Sequence, residues 1–423
     1  MAVKALKGFK DIIPGQVETW QFIEATARDI LHRFGCSEIK VPILEKTKLF
    51  QRSIGETTDI VEKEMYTFPD RNGSSLTMRP EGTASVLRAY IENGLHVAKP
   101  IQKLYTIGPM FRHERPQKGR LRQFHQISVE VLGTDLARAD AELMAMAALI
   151  VEELGLTARL EINSLGCPQC RPAFNQALLE FISNIEDLCE DCLRRRHTNP
   201  LRVLDCKSDH CQAHYKDAPS ILDHVCSGCA EHFQAVQRDL DLLEVRYSVN
   251  PRMVRGLDYY TRTTFELLTS DLGAQAAVGA GGRYDGLVEQ LGGPAVPGIG
   301  FALGIERLAL LLSQQEDLLP EPEIDLFIAA LGPAGQDEAF KICHFLRALG
   351  LLVAMDYQDR SLKNQMKQAG RAQARFVLIL GEEELKNSQA LLRNMESHEQ
   401  QEIALGGDLK GWCLELADRL FDE

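Results

Sequence analysis

The chain has 423 residues, of which 45% are hydrophobic and 25% charged, and its formal net charge is −13. Those proportions belong to a globular protein with an ample core and about three domains, and they exclude collagen-like, low-complexity and disordered classes. An acidic chain repels polyanions on average, so any nucleic-acid contact has to come through local basic surfaces. The start MAVKALKGFKDIIPG lacks the apolar core of a signal peptide, and no apolar run of about 18 residues is free of charge, so the expected location is the cytoplasm with no membrane contact.

In chain order, TWQFIEATARDILHRFG (19–35) predicts a helix and SEIKVPILE (37–45) a strand broken at Pro42. In TMRPEGTASVLRAYIENG (77–94), Arg79, Glu81 and Thr83 precede an apolar periodic helix. KLYTIGPMFRHE (103–114) and QFHQISVEVLG (123–133) alternate as the two strands of an antiparallel hairpin. Its loop region, FRHERPQKGRLRQFHQ (111–126), carries five cations against one carboxylate. Hairpin tips are usually polar and solvated, but guanidinium groups at this density also suit a grip on a triphosphate and a nucleic acid.

Eight of the 11 cysteines fall between 167 and 229, as Cys167/Cys170, Cys189/Cys192, Cys206/Cys211 and Cys226/Cys229. A C-x-x-C pair holds two thiolates on one turn, and two such pairs close a tetrahedral zinc site with no open coordination position. Four half-sites suit two structural zincs; three pairings are open, and His197, His210, His214, His224 or His232 could replace a thiolate. Free thiols and disulfides are the competing readings, the latter requiring an oxidising compartment.

QQEDLLPEPEID (314–325), with two prolines and five acids, reads as a linker. Beyond it, the buried-strand runs 325–331, 351–356 and 376–380 alternate with helical stretches, which predicts a small α/β domain. In RSLKNQMKQAGRAQAR (360–375), Arg360, Lys363, Lys367, Arg371 and Arg375 recur at helical spacing with no acid between them. They would share one helix face, either solvated or bound to a phosphate backbone.

FRHE followed by GRLRQFHQ resembles motif 2 of the class II aminoacyl-tRNA synthetases, and GIGFALGIERLALLL (298–312) resembles their motif 3. RGLDYYTRTTFE (255–266) and GAGGRYDGL (279–287) resemble the two stretches that mark the histidyl-tRNA synthetases within that class, and RPEGT and NPLRVLDCK extend the likeness. The resemblance implies an α+β fold: an antiparallel six-stranded catalytic sheet flanked by helices, a Cys-rich insertion, and a C-terminal α/β anticodon-binding domain. The expected boundaries are catalytic core 1–165, insertion 166–240, catalytic core continued 241–313, linker 314–323 and anticodon-binding domain 324–423. A homodimer built around residues 20 to 50 is also implied.

The implied reaction joins histidine to the α-phosphate of ATP and then to the terminal ribose of tRNA(His). Negative charge builds on the phosphate, so fixed cations are the main catalytic resource. By motif position, Arg112 and Arg255 approach the α-phosphate, while Arg307, Phe124 and Glu114 join Arg112 around ATP, and Mg2+ offsets the remaining triphosphate charge. The histidine side is expected from Glu81, Thr83 and Gln126 at the α-amino group, Glu130 and Tyr260 at the two imidazole nitrogens, and Tyr284 in the pocket wall. Gly281 and Gly282 are expected to let backbone approach the ligand. Arg115, Gln117 and Arg120 are the expected contacts to the tRNA acceptor end; Arg360, Lys363, Lys367 and Arg371 are those of the C-terminal domain. The alternative is a catalytically silent, histidine-sensing regulatory paralogue of the ATP phosphoribosyltransferase system, which would keep the imidazole pocket and lose the ATP and tRNA residues. The insertion of the family is not generally so cysteine-rich, so zinc rests on the spacing alone.

Overall fold

A computed structural model of the chain describes residues 3–55, 58–206, 208–271, 277–315 and 324–422. Of the expected linker 314–323, all but residues 314 and 315 lies outside the described residues. The chain divides into two compact units, Met1–Leu318 and Leu319–Glu423.

The first unit is built on an eight-stranded sheet. In chain order its strands are β1 (Ser37–Glu38), β2 (Gln102–Phe111), β3 (Gln123–Leu132), β4 (Arg159–Ser164), β5 (Tyr247–Val249), β6 (Thr261–Leu268), β7 (Ala277–Arg283) and β8 (Gly298–Gly304). Their spatial order is β1-β2-β3-β8-β7-β6-β4-β5. The six inner strands pair antiparallel throughout. Two short outer strands, β1 and β5, add in parallel at the edges. A smaller three-stranded sheet joins Leu44–Lys46, Ser75–Met78 and Thr67–Pro69.

Alternation along β3 separates core from site. Its odd-numbered residues Ile127, Val129 and Val131 enter the main core, packed with Ile23, Ile30 and Leu31 of the helix Val17–Arg33 and with Leu143, Met146 and Ile150 of the helix Ala137–Glu153. The even-numbered Gln126, Ser128 and Glu130 therefore point to the opposite face, where a period of two leaves room for polar groups. Burial of the apolar face stabilises the sheet at about 25 cal/mol per Å² removed from water. With the apolar face covered by helices, the polar face is left free to serve as a site.

The insertion contains the helices Arg171–Ser183, Glu190–Thr198, Asp209–His214 and Ser227–Leu242. It has its own apolar cluster, including Phe174, Leu178, Ile182, Val203, Tyr215 and Ile221 with several of the cysteines. Ser227–Leu242 returns to the main core through Phe233, Val236 and Leu240.

In the second unit the sheet order is Val353–Met355, Ile324–Ala330, Ala374–Leu380, Gln389–Asn394, Gln400–Ala404. The first three pair in parallel, as the βαβ reading expects. The last two form an antiparallel extension that the polar sequence did not suggest. The basic stripe is shorter than its spacing projects. The helix runs only over Leu362–Arg371, so Lys363, Lys367 and Arg371 lie on it, while Arg360 precedes it and Arg375 sits in the following strand. Gln373 adopts φ 48°, a left-handed conformation that ends the helix without a glycine to announce it.

Candidate active site

A cavity of about 810 Å³ opens on the polar face of the large sheet. Its floor comes from β3, β6, β7 and β8, and its rim from the hairpin loop, residues 81–83 and the loop 255–260. Of the residues expected to bind histidine, ATP and the acceptor end, all but Glu130 and Arg115 line it: Glu81, Thr83, Arg112, Glu114, Gln117, Arg120, Phe124, Gln126, Arg255, Tyr260, Tyr284 and Arg307.

Arg112 follows directly on β2, where its N–H donates to the Arg122 carbonyl at 2.9 Å and closes the hairpin. Its Nε donates to the Pro80 carbonyl at 2.9 Å, and its guanidinium stands 5.3 Å from the Phe124 ring centroid. A planar cation stacked on one side and tethered at one nitrogen keeps its remaining donors for an oxyanion. Burial lowers the Arg112 pKa from its usual value, with the charges of Glu64 and Glu81 opposing the change. Arg255 sits against Glu266 of β6; burial acts to lower its pKa, but Glu266 together with Tyr260, Asp205 and Tyr259 outweighs it and the net shift is upward. Arg307, in the first turn of the helix Ile305–Leu312, donates to the Ala277 carbonyl. Four guanidiniums share the cavity, those of Arg112, Arg120, Arg255 and Arg307; burial lowers the Arg307 pKa, and the charges of Arg120 and Arg112 push it further down. Such mutual repulsion is relieved by a polyanion.

Glu81 binds the start of the helix Thr83–Glu92: its two oxygens accept from Thr83 N at 2.6 Å and Ala84 N at 2.9 Å. Burial still raises its pKa above the usual range. Glu130 does not line the cavity surface but lies beneath it, fully buried, and accepts a hydrogen bond from the Tyr284 hydroxyl. Burial pushes its pKa up to about 8, against the pull of that hydroxyl. Glu130 faces Gly300 across the β3–β8 register, and a Cβ at 300 would come 2.0 Å from its Oε2. Glycine there is what admits a carboxylate between two strands.

Glu130 Oε1, Gln126 Oε1, Ser128 Oγ and Arg255 Nε are buried without a hydrogen-bond partner. Native proteins seldom leave such atoms unsatisfied, and a cluster of them marks where a ligand completes the bonding. Tyr260 stands at 4.7 Å from Tyr259, and Tyr259 at 5.8 Å from Tyr284 by ring centroids. The three rings make an aromatic wall beside the unpaired acceptors, sized for a flat polar ring.

Other placements differ from expectation. Gly281 and Gly282 make room for protein: a Cβ at 281 would meet the Gly300 carbonyl at 2.3 Å, and one at 282 the Thr263 carbonyl at 2.7 Å and Tyr260 at 2.8 Å. Glu114 ion-pairs with Arg120 and lies 3.9 Å from Arg112, and Arg120 lines the cavity. Arg115 is exposed outside it. Arg79 is a strut, donating to the Pro109 and Val41 carbonyls at 2.8 and 3.1 Å. Tyr259, Glu266 and Glu306 were not singled out in the sequence; Glu306 fastens the hairpin by accepting from His125 N at 2.9 Å. A doubled tyrosine beside an expected site arginine was the one available signal for Tyr259.

The cysteines close into two nested tetrads, Cys167/Cys170/Cys226/Cys229 and Cys189/Cys192/Cys206/Cys211, with the sulfurs of each within 4.8 Å of one another. Individual separations are 3.5 Å for Cys167 to Cys170, 3.9 Å for Cys167 to Cys226 and 3.7 Å for Cys189 to Cys206. A tetrahedron with zinc–sulfur bonds of about 2.3 Å has edges of about 3.8 Å. Among the described residues no histidine joins either set; His232 Nε2 instead lies 2.9 Å from Asp140 Oδ2.

The sequence matches the family model described as Histidyl-tRNA synthetase over residues 8–218 and 182–308, and the one described as Anticodon binding domain over 325–410. It is 61% identical to the histidine–tRNA ligase of Desulfotalea psychrophila over 412 residues, covering 97% of this chain and 95% of that one. It is 57% identical to that of Geobacter sulfurreducens over 405 residues, covering 95% and 97%. Among solved structures, the apo Staphylococcus aureus histidyl-tRNA synthetase superposes with TM-score 0.80 at 38% identity, covering 97% of this chain and 100% of that one. A Bacillus halodurans chain described as an ATP phosphoribosyltransferase regulatory subunit/histidyl-tRNA synthetase gives TM-score 0.66 at 18% identity, covering 90% and 99%, which speaks to fold alone.

Proposed function

The chain belongs to the histidyl-tRNA synthetase family, and from that premise we infer that it is an ATP-dependent ligase that charges tRNA(His) with L-histidine through a histidyl-adenylate. The regulatory alternative is not favoured: identity to ligases reaches 61% over nearly the whole chain, and the anticodon-binding region is present. What carries the mechanistic reading is one cavity that combines Arg112, Arg255 and Arg307 with the unpaired acceptor Gln126 Oε1, and the buried Glu130 Oε1 beneath its floor.

In our reading, histidine enters beside Tyr259, Tyr260 and Tyr284, with one imidazole nitrogen on Glu130 and the other on Tyr260. A pocket that pairs both nitrogens rejects analogues that leave either group bare. Glu81, Thr83 and Gln126 take the α-amino group. Phe124 stacks adenine, Glu114 receives its amino group after exchanging its bond to Arg120, and Arg307 bears on the terminal phosphate. Arg112 and Arg255 bracket the α-phosphate, where attack by the histidine carboxylate builds charge; pre-placed cations of this kind supply the largest share of such catalysis. Glu266 and Glu306 are wall carboxylates that would hold Mg2+ on giving up part of their bonding to Arg255 and His125, and the ion would offset triphosphate charge when bound.

Arg115, Gln117 and Arg120 are proposed to meet the acceptor end of the tRNA, and Arg360, Lys363, Lys367 and Arg371 its anticodon region. The domain boundaries given above, the homodimer and the cytoplasmic setting are part of the same reading. The tetrads fit structural Zn2+, which would cross-link the insertion without offering an open coordination position. Charging of tRNA(His) by labelled histidine tests the proposal. Acid-stable label on tRNA that depends on ATP and histidine is expected, and histidine binding with no charging would restore the sensor.

A further inference from the structure

Polar groups of the insertion are directed at the 255–262 segment, which carries Arg255 and the tyrosines. Arg202 Nη1 donates to the Arg255 carbonyl at 3.1 Å. Asn199 Nδ2 donates to Asp258 Oδ1 at 3.0 Å, and the Arg171 guanidinium donates to the Tyr260 carbonyl. Arg262 completes the set: its N–H donates to the Gly166 carbonyl at 2.9 Å, and its carbonyl accepts from Leu165 N at 2.7 Å. Arg262 holds φ 51°, a conformation a non-glycine residue keeps only where its surroundings enforce it. Arg202 also reaches Asp59 at 3.6 Å, as Arg195 does at 2.9 Å, so the turn that continues into Ile60–Glu64 is gripped by the same helix and turn.

These donors stand beside the tetrads. Arg171 follows Cys170 of one, and Asn199 and Arg202 lie between Cys192 and Cys206 of the other. Two of the three side-chain bonds to the loop end on backbone carbonyls, so they fix where the loop lies whatever side chains it carries. A freely hung insertion would gain nothing from such bonds, because each orders a long side chain.

We propose that the insertion is a clamp, in which Arg171, Asn199 and Arg202 are positioning residues that hold the 255–260 loop so that Arg255 and Tyr260 face the cavity, and the metal-bound tetrads keep the clamp rigid. The proposal rests on the reading of the tetrads as zinc sites. Its consequence is that adenylate formation depends on an insertion none of whose cysteines lines the cavity.

The test is Arg202→Ala in the full chain, with Arg202→Lys and the milder Asn199→Ser as companions. Bound zinc per chain, hydrogen exchange of the 250–262 peptide and pyrophosphate exchange kinetics are measured on each. The expected result for Arg202→Ala is unchanged zinc, faster amide exchange in 250–262, and a fall of tenfold or more in kcat with the KM for ATP within twofold. Arg202→Lys should recover part of the kcat, and Asn199→Ser should show the same split more weakly. Unchanged loop exchange and unchanged kcat in both Arg202→Ala and Asn199→Ser, with zinc bound, would overturn the clamp. A parent protein that purifies active without zinc or another metal would overturn the metal part of the proposal, and the loop measurements would then decide the clamp separately.

Discussion

Two buried polar clusters share the large sheet and differ in one respect. Around Asp140, the carboxylate accepts from the Arg283 guanidinium, from Thr263 Oγ1 at 2.6 Å and from His232 Nε2 at 2.9 Å, while Arg283 also donates to Thr134 O at 3.0 Å and Asp285 at 2.9 Å. Around Glu130, one oxygen takes the Tyr284 hydroxyl and the other has no partner at hydrogen-bond geometry, with Thr83 only near enough to pull the pKa down slightly. Burial acts to raise both carboxylate pKa values. At Asp140 the hydrogen bond from His232 and the charge of Arg283 reverse it, so the net shift is downward; at Glu130 burial wins and the pKa rises to about 8. A closed network stabilises the fold, whereas an open one stores unsatisfied bonding for a ligand.

That contrast can be broken first at its closed end. Asp140→Asn takes from the buried Arg283 one of its two carboxylate partners and leaves it only the more exposed Asp285, a loss of about 3 kcal/mol. The melting temperature should fall by roughly 10 °C, at about 2–4 °C per kcal/mol for a unit of this size. The histidine KM of the surviving enzyme should stay within about twofold, and an unchanged melting curve would show that the network is not closed as described.

At the open end the sign of the pH effect is the test. The unfolded chain releases the Glu130 proton near its ordinary value of 4.5, while the folded protein keeps it to about 8. The folded state therefore holds more protons between those values, and stability declines as pH rises through that window. Removing the group with Glu130→Gln should make the protein gain on its parent by on the order of 5 kcal/mol between pH 4 and pH 9 in the absence of histidine. Parallel stability curves for the two proteins would contradict the burial argument.

Arg255→Ala sharpens the comparison from the chemistry side. It removes a cation needed where charge develops, so kcat for adenylation should drop about 100- to 1,000-fold with the fold retained. The smallest effect belongs to the second unit. Lys367→Ala should weaken tRNA binding modestly and lower the salt slope of affinity by about one, and an unchanged slope would place that residue off the phosphate backbone.

Legibility in the sequence followed the range of the interactions. The hairpin of β2 and β3 was readable because its pattern is local, whereas the pairing of β3 with β8 joins residues well over a hundred positions apart. Arginines and tyrosines in recognisable motifs led to the cavity, but Glu266 and Glu306 look like ordinary surface acids until their partners Arg255 and His125 are brought to them. Cysteine spacing supplied the half-sites and not their closure, since nesting is a property of the folded insertion. The basic stripe was overextended because nothing local marks Gln373 as the residue that turns the helix into a strand.

The central claim is that the unpaired groups of the cavity are completed by histidine during adenylation. Histidine-dependent exchange of labelled pyrophosphate into ATP, measured for the parent, Glu130→Gln and Arg255→Ala, tests it most directly. The expected result is exchange in the parent that requires histidine, a histidine KM raised about tenfold or more by Glu130→Gln, and a kcat lost in Arg255→Ala. Exchange that proceeds equally well in all three, or histidine binding with no exchange in the parent, would contradict it.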